Sequence, residues 1–213
     1  MVVPDRSPPG NPTRPQNAPG DGQKGIGGCS WVCSVSGMPN EEPLRSLIRE
    51  VPDWPTPGVS FKDITPLLAD PKAFDDAVER LARSFADREV THVVGIEARG
   101  FVLAAPIALR LGVGFVPARK PGKLPWTTRV EPYELEYGTD ELQMHADAVV
   151  PGDRALIVDD VLATGGTASA AVRLVESAGV EVVGIGFLLE LGFLGGAEKL
   201  PADRHVSLLT YDS

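Results

Sequence analysis

The most informative stretch of this chain is Leu156-Ile157-Val158-Asp159-Asp160-Val161-Leu162-Ala163-Thr164-Gly165-Gly166-Thr167. Its aliphatic start predicts a buried strand, and Ala171, Leu174, Val175 and Ala178 after it recur at helical spacing. The loop between them is small and rich in glycine. Its backbone N–H groups can therefore crowd around an anion, and the N-terminus of the following helix favours negative charge there. The stretch predicts a strand, a phosphate-binding loop and a helix.

The order of residues in this loop differs from two common nucleotide-binding loops. It has no Gly-x-x-x-x-Gly-Lys spacing, contains no lysine, and does not match Gly-x-Gly-x-x-Gly. Asp159 and Asp160 come before the glycines, and two adjacent carboxylates at a strand end are costly without a ligand or metal to neutralise them. The order indicates a ligand with hydroxyl groups beside its phosphate. A strand that merely ends in a glycine turn is the alternative.

Val158-Asp159-Asp160 followed by Ala163-Thr164-Gly165-Gly166-Thr167 resembles the phosphoribosyl pyrophosphate signature of the type I phosphoribosyltransferases. The resemblance implies that Asp159 and Asp160 hold the ribose hydroxyls. It gives the 5′-phosphate to the residues of the phosphate loop: Ala163, Thr164, Gly165, Gly166 and Thr167. It also implies the family's α/β fold, a central, mostly parallel sheet with helices on both faces, an N-terminal hood and a β-hairpin flap.

The charge of the chain is unevenly distributed. The 213 residues, enough for one ordinary domain with extensions, carry a net charge of -9, which argues against a nucleic-acid or membrane-surface partner. Residues 98–130 nevertheless contain no Asp or Glu, and their six basic residues are Arg99, Arg110, Arg119, Lys120, Lys123 and Arg129. Such segregation indicates an anionic ligand, with a solvated basic face as the alternative.

Residues 1–40 differ in composition from the rest. They are rich in Pro, Gly, Asn and Ser and are predicted to be a disordered leader before a domain of residues 41–213. We find no secretory pattern and no run approaching the roughly 20 apolar residues of a membrane span, so a cytoplasmic protein is expected. Cys29 and Cys33 both lie in the leader and are assigned no role. Met38 is an alternative start of translation.

A proline-rich segment, residues 52–68, begins with Pro52-Asp53-Trp54-Pro55-Thr56-Pro57-Gly58-Val59-Ser60-Phe61 and predicts a stiff, non-helical excursion. It resembles the hood of the adenine phosphoribosyltransferases, here about residues 41–68. The resemblance implies that Phe61 stacks on the purine and that the backbone of Ser60 and Lys62 reads its edge. A flat aromatic ring on a rigid loop suits a purine face. Without the resemblance, a core anchor remains an alternative for Phe61.

A second anion-binding turn is predicted where a strand over residues 90–96 meets a helix over residues 102–111. Glu97-Ala98-Arg99-Gly100 between them places a base and a glycine before a helix N-terminus. The resemblance makes this turn the pyrophosphate loop, assigns Ala98 and Arg99 to the pyrophosphate, and implies a cis Glu97-Ala98 peptide. A buried Glu–Arg pair that closes the turn is the alternative.

The flap, about residues 119–140, is polar, and residues 126–131 have loop composition without a clear period. The resemblance makes it a mobile catalytic flap with Arg119, Lys120 and Lys123 near the phosphates and Tyr137 near the substrate. It also points to Glu136 as the group that manages the adenine proton. From the sequence alone, a solvated glutamate on a hairpin edge is an equal alternative for Glu136.

The remaining pattern places both predicted anion sites on one sheet. The other predicted elements are a helix over 71–87, strands over 114–118, 141–149, 180–191 and 206–211, and a helical turn over 194–200. Strand and helix alternate from residue 90 to residue 191, which predicts a parallel sheet with its ligand at the carboxyl ends of the strands.

The resemblance extends over residues 44–211 with four motifs in the family's order. It implies purine salvage, in which adenine and phosphoribosyl pyrophosphate give AMP and pyrophosphate. Mg²⁺ is expected through pyrophosphate and ribose oxygens, near Asp159 and Asp160 but with no ligand directly assigned. A homodimer is also implied. The alternatives are a transferase for another base, such as xanthine or orotate, and a non-catalytic regulator that senses phosphoribosyl pyrophosphate.

Overall fold

A computed structural model describes residues 41–134 and 139–213. The helices are α1 Glu42–Arg45, α2 Thr65–Ala69, α3 Pro71–Ser84, α4 Gly100–Leu111 and α5 Gly166–Glu176. The strands are β1 Arg49–Val51, β2 Phe61–Asp63, β3 His92–Ile96, β4 Gly114–Ala118, β5 Thr128–Glu134, β6 Thr139–His145, β7 Arg154–Leu162, β8 Glu181–Leu191 and β9 His205–Tyr211. Two 3₁₀ turns, Gly192–Leu194 and Gly196–Lys199, follow β8. The predicted leader, residues 1–40, lies outside the described residues.

Five parallel strands form the central sheet in the order β4-β3-β7-β8-β9. Val94 pairs with Val116 on one side and with Ile157 on the other, and Ile157 in turn pairs with Ile185. The predicted parallel sheet is therefore confirmed. Because the strands run in one direction, their carboxyl ends meet at a single edge, which is where ligands bind in sheets of this kind.

Helices cover both faces of this sheet because its central strands are apolar on both sides. One buried cluster joins Leu156 and Val158 to α3 and α4, and a second joins Ile157 and Ile185 to α5 and the β5–β6 hairpin. Gly184 lets α3 approach closely, since a Cβ there would lie 2.5 Å from the Phe85 ring. The core thus holds the carboxyl ends of β3, β7 and β8 in fixed positions.

The N-terminal part of the domain contains a small sheet that the sequence pattern did not predict. β1 pairs antiparallel with β2, so that Val51 lies opposite Phe61. α1 ends at Arg45, because the chain turns there and enters this sheet at Arg49. α3 agrees with prediction except in its last turn. It begins at Pro71, and the Asp70 side chain caps it by accepting from the N–H groups of its first turn.

The flap contains the β-hairpin that the resemblance implied. β5 and β6 pair antiparallel, with Val130 opposite Gln143, and β5 begins at Thr128, so the loop expected over residues 126–131 was wrong for residues 128–131. The hairpin forms because Tyr133, Leu142 and Met144 are buried against the α5 side of the core. This stabilisation comes from tertiary contacts, which leave little strand signal in the local sequence. No helix in the described parts of the chain is long and apolar enough to cross a membrane.

Candidate active site

A cavity of about 380 Å³ opens at the carboxyl ends of β3, β7 and β8. The predicted residues that line it are Ser60, Phe61, Lys62, Ala98, Arg99, Lys120, Asp159, Asp160, Ala163 and Thr167. A second hollow of about 80 Å³ shares Asp159, Ala163 and Thr167 with it and is also lined by Thr164, Gly165 and Gly166. The predicted Glu136 and Tyr137 lie outside the described residues. The fold therefore brings most of the predicted site together.

The phosphate loop connects the end of β7 to the start of α5. Gly165 precedes the helix with a φ of +76°, a conformation that side chains disfavour. A Cβ at Gly165 would also overlap the carbonyl oxygen of Gly196, so its conformation and its surroundings both require glycine. The first N–H groups of α5 have no acceptor within the helix and lie beside the smaller hollow. The loop has the geometry expected of an anion site.

Asp159 and Asp160 occupy the end of β7 and are held in different ways. Burial raises the pKa of Asp159 well above its usual range, and the neighbouring charge of Asp160 raises it further. Burial also raises the pKa of Asp160, against the opposing charge of Arg99. Asp160 is only 4% exposed, and its backbone N–H donates to Oδ1 of Asp159 at 2.9 Å. The pair is therefore costly to ionise without a ligand.

One carboxylate oxygen of Asp160 can still accept a hydrogen bond. Its Oδ2 lies 2.8 Å from Nε of Arg99, yet among the described residues it accepts no hydrogen bond. The contact is an ion pair without the alignment of a hydrogen bond. A buried acceptor in this state is costly unless another donor reaches it. A ligand hydroxyl in the cavity would supply such a donor.

The pyrophosphate loop, residues 97–100, contacts the acidic pair directly. Its Glu97-Ala98 peptide is cis, as the resemblance implied. A Cβ on Gly100 would lie 2.7 Å from Oδ1 of Asp159, so the absence of a side chain allows the two loops to meet. Arg99 projects from the start of α4 and lines the cavity. The two predicted anion-binding turns are thus parts of one site.

Arg119 and Lys123 differ from expectation, because neither lines either hollow. Nε and Nη2 of Arg119 lie 3.1 and 3.2 Å from the two carboxylate oxygens of Glu97, and the hydrogen bond from Arg119 lowers the pKa of Glu97. Nη1 of Arg119 donates to the backbone oxygen of Lys123 at 3.1 Å. Glu97 of the pyrophosphate loop therefore pairs with Arg119 of the flap. The alternative, a Glu97–Arg99 pair that closes the turn, does not form.

Lys120 lines the cavity but also has partners in the flap. Its Nζ pairs with the Asp140 carboxylate and donates to the Tyr133 hydroxyl at 2.7 Å. Burial lowers the pKa of Lys120, but the hydrogen bonds to Asp140 and Tyr133 outweigh it and raise the pKa overall. Lys120 remains a cation at the rim of the cavity, with Asp140 as its counter-ion.

The side of the cavity formed by the proline-rich segment is aromatic. The Phe61 ring is half-buried and lines the cavity, with the Trp54 ring centred 4.4 Å away at an angle of 64°. Arg99 Cζ lies 5.3 Å from the centre of the Phe61 ring. Lys62 is 8% exposed, and its Nζ lies 3.0 Å from Glu50 Oε1. Phe61 is therefore a lining residue and not a core anchor.

Sequence reasoning missed several lining residues. They are Val59, Ile96, Glu97, Tyr133, Val161, Leu189 and Leu191. Leu189 and Leu191 could have been found, because alternate residues of a strand share one face of the sheet and these two lie at the carboxyl end of β8, where the two loops also lie. Tyr133 left no such signal, since its strand was itself not predicted.

Comparisons with known proteins agree with the family resemblance of the sequence motifs. Residues 64–208 match the phosphoribosyl transferase domain family. An adenine phosphoribosyltransferase of Thermobifida fusca is 61% identical over 157 residues, which cover 74% of this chain and 89% of that protein. The crystal structure of the Thermoanaerobacter pseudethanolicus adenine phosphoribosyltransferase superposes with a TM-score of 0.78 at 53% identity, covering 81% of this chain and all of the other.

A third relative was crystallised with ligands. The Saccharomyces cerevisiae adenine phosphoribosyltransferase, in complex with adenine and an imino-altritol bisphosphate, superposes with a TM-score of 0.75 at 37% identity. The match covers 79% of this chain and 98% of the yeast chain.

Proposed function

The chain belongs to the phosphoribosyltransferase family and, within it, to the adenine phosphoribosyltransferases, and we propose that the cavity at the carboxyl ends of β3, β7 and β8 is its active site. Adenine phosphoribosyltransferases convert adenine and phosphoribosyl pyrophosphate to AMP and pyrophosphate in purine salvage.

The observation that carries this proposal is the position of Arg99. One guanidinium contacts both the aromatic wall at Phe61 and the carboxylate of Asp160, and it belongs to the pyrophosphate loop. A base, a ribose and a pyrophosphate that occupied these three places would meet at the anomeric carbon. The yeast relative's complex with adenine supports placing the purine in this cavity.

Each part of the cavity then has one task. Phe61 stacks on adenine, with Leu191 on the wall formed by β8, and the backbone of Ser60 and Lys62 reads the edge of the purine. Asp159 and Asp160 accept hydrogen bonds from the ribose hydroxyls. The phosphate loop, Ala163, Thr164, Gly165, Gly166 and Thr167, binds the 5′-phosphate through backbone N–H groups.

The reaction breaks the bond between the anomeric carbon and pyrophosphate oxygen and forms one to an imidazole nitrogen of adenine. We expect an oxocarbenium-like transition state, as at other glycosidic centres. Arg99, with Ala98 beside it and Lys120 at the rim, stabilises the negative charge that develops on the leaving pyrophosphate. Arg119 and Lys123 support this arrangement indirectly, because Arg119 holds Glu97 at the base of the same loop.

Phosphoribosyltransferases generally use Mg²⁺ with phosphoribosyl pyrophosphate, and the residues of this cavity fit such an ion. Asp160 Oδ2 is a buried acceptor without a hydrogen bond, beside a second carboxylate. Within residues 41–134 and 139–213, no three His, Cys, Asp or Glu side chains form a metal cage. We therefore propose that Asp159 and Asp160 lie near an ion held mainly by substrate oxygens. When bound, Mg²⁺ would neutralise charge on the pyrophosphate.

Glu136 is proposed as the acid and base for adenine. Attack by the imidazole nitrogen requires that its proton leave, and in reverse a protonated purine leaves more readily. Arg99 and Lys120 serve the anions, and Asp159 and Asp160 serve the ribose. Glu136 falls between β5 and β6 in the chain, and Tyr133, three residues before it, lines the cavity. Tyr137, next in the chain, is proposed as a substrate contact.

A homodimer in the cytoplasm is proposed as the working form. α4 presents Val102 and Leu109 to its exposed side, where Leu109 is 83% exposed, and Phe115 of β4 is also exposed. Exposed apolar groups at this density favour a protein contact, and a second copy would cover them. Light scattering should give twice the chain mass, and Leu109→Glu should reduce the measured mass to that of one chain.

A cytoplasmic location is proposed because the substrates are charged and do not cross bilayers unaided. Cell fractionation tests it.

The leader is proposed to be dispensable. The family match begins at residue 64, and the described domain begins at residue 41. A chain that starts at Met38 should retain both turnover and melting temperature. Loss of either would show that residues 1–37 stabilise the domain.

The reaction is tested by the choice of base. AMP formation from adenine should exceed nucleotide formation from guanine, hypoxanthine, xanthine or orotate by orders of magnitude under identical Mg²⁺ and phosphoribosyl pyrophosphate. A preference for another base would support the other-base alternative, and binding of phosphoribosyl pyrophosphate without turnover would support the regulator.

A further inference from the structure

Gly196 lies against the phosphate loop although it comes about 30 residues later in the chain and belongs to none of the motifs found in the sequence. A Cβ built on Gly196 would overlap the carbonyl oxygen of Ala163 and would lie 2.9 Å from the backbone nitrogen of Gly165. The contact is reciprocal, since a Cβ on Gly165 would overlap the oxygen of Gly196 and lie 3.1 Å from its Cα. Two backbones are therefore in direct contact, with no room for a side chain on either.

The segment that carries Gly196 is fixed on both sides. Gly195 precedes it with a φ of +64°, and the 3₁₀ turn Gly196–Lys199 follows. Ala197 packs against the core cluster on the α5 side, and Leu200 is buried in that cluster. Gly196 is itself buried. A backbone anchored in this way can resist displacement of the loop that it touches.

We propose that Gly196 is a positioning residue for the 5′-phosphate: its backbone supports residues 163–165 from behind and fixes the direction of the loop's N–H groups. This inference rests on the proposed role of the phosphate loop. The clash involves backbone atoms, which cannot rotate away as a side chain can. A methyl group at Gly196 must therefore displace the loop, the 3₁₀ turn or both.

Gly196→Ala tests this role by comparing two ligands that differ only in the phosphate. AMP affinity should fall about 10- to 100-fold, the worth of one or two hydrogen bonds to a charged group, while adenosine affinity should stay within about two-fold of wild type. Equal losses for AMP and adenosine, or an unchanged AMP affinity in a folded variant, would overturn the proposal. Wild type separates the two claims: if it binds adenosine as well as AMP, the phosphate loop itself has been misassigned.

Gly192→Ala is the matched control. It adds the same methyl group in the same segment, where the three nearest atoms belong to Asp212, Thr210 and Tyr211, at 3.1 to 3.5 Å, and none belongs to the phosphate loop. Its AMP affinity should stay within about two-fold of wild type.

If Gly196→Ala does not fold, hydrogen exchange of the wild-type chain provides the test. Ribose 5-phosphate should slow exchange in the peptide covering residues 193–200, and adenine should not. Unchanged exchange with ribose 5-phosphate at saturation would contradict a supporting contact.

Discussion

Arg99 and Asp160 are joined by an ion pair of 2.8 Å between Nε and Oδ2, although one belongs to the pyrophosphate loop and the other to β7. The Asp160 side chain is 6% exposed and that of Arg99 is 45% exposed. The carboxylate therefore has lost most of its hydration, while the guanidinium keeps much of its own. Asp160 depends more on this pair than Arg99 does.

Arg99→Gln should consequently lower stability as well as activity. Removing the cation leaves the Asp160 carboxylate without its counter-charge, and we expect a loss of about 1 kcal/mol, reduced from the value for a buried pair because Arg99 is half-exposed. Asp160→Asn in the Arg99→Gln background should restore most of that loss. Denaturant unfolding of the wild type, both single variants and the double variant measures the coupling. Additive effects on the free energy of unfolding would show that the ion pair contributes nothing to stability.

Asp159→Asn should stabilise the protein while reducing ligand binding. The pKa of Asp159 is raised in the folded state, so the folded chain binds more protons than the unfolded chain between the two pKa values. Stability is therefore lost as pH rises through that window, and the loss is complete above the raised pKa. Asparagine removes the charge but keeps the oxygen that accepts from the Asp160 N–H at 2.9 Å.

At pH 7.5 the expected gain is on the order of 1 kcal/mol, or about 2–4 °C in melting temperature for a domain of this size. The gain should shrink as the pH falls towards the usual range of a free carboxyl group. A lower melting temperature for Asp159→Asn at neutral pH would show that the charge stabilises the fold.

Trp54→Ala should weaken adenine binding through Phe61. The two rings meet edge to face at 4.4 Å, and such contacts are worth about 0.5–1.5 kcal/mol, so KM for adenine should rise by about 2- to 10-fold. KM for phosphoribosyl pyrophosphate should change little. Trp126→Ala is the control, because Trp126 is also exposed but, among the described residues, makes no ring contact with Phe61. If both variants behave alike, Trp54 does not position the ring.

Glu136→Gln should keep AMP affinity and lower turnover by roughly 10²- to 10⁴-fold, the usual contribution of a positioned acid or base. Single-turnover rates in both directions, with AMP binding measured alongside, separate chemistry from product release. Turnover within about three-fold of wild type, with chemistry rate-limiting, would make Glu136 a bystander.

The two anion-binding turns were predictable because each combines a strand end, a glycine and a helix start within a few residues. Asp159, Asp160, Arg99 and the phosphate loop all follow from such local patterns, and the parallel sheet then requires that they meet at one edge. Phe61 could be placed by resemblance, although composition alone did not distinguish it from a core residue.

The rest depended on contacts between distant parts of the chain. β5 forms because Tyr133 packs into the core beside β6, and β1 forms because Val51 meets Phe61 across a proline-rich excursion. The pairing of Arg119 with Glu97 is likewise set by the end of β4 lying next to the end of β3. Gly196 gave no sequence signal, because the atoms that exclude a side chain belong to another loop.

A crystal structure of this chain grown with AMP would show whether the cavity at the carboxyl ends of β3, β7 and β8 is the active site. We expect the purine to stack on Phe61, the ribose hydroxyls to reach Asp159 and Asp160, and the phosphate to contact the N–H groups of residues 164–167. AMP bound at any other place, or bound in this cavity with its phosphate away from that loop, would contradict the account.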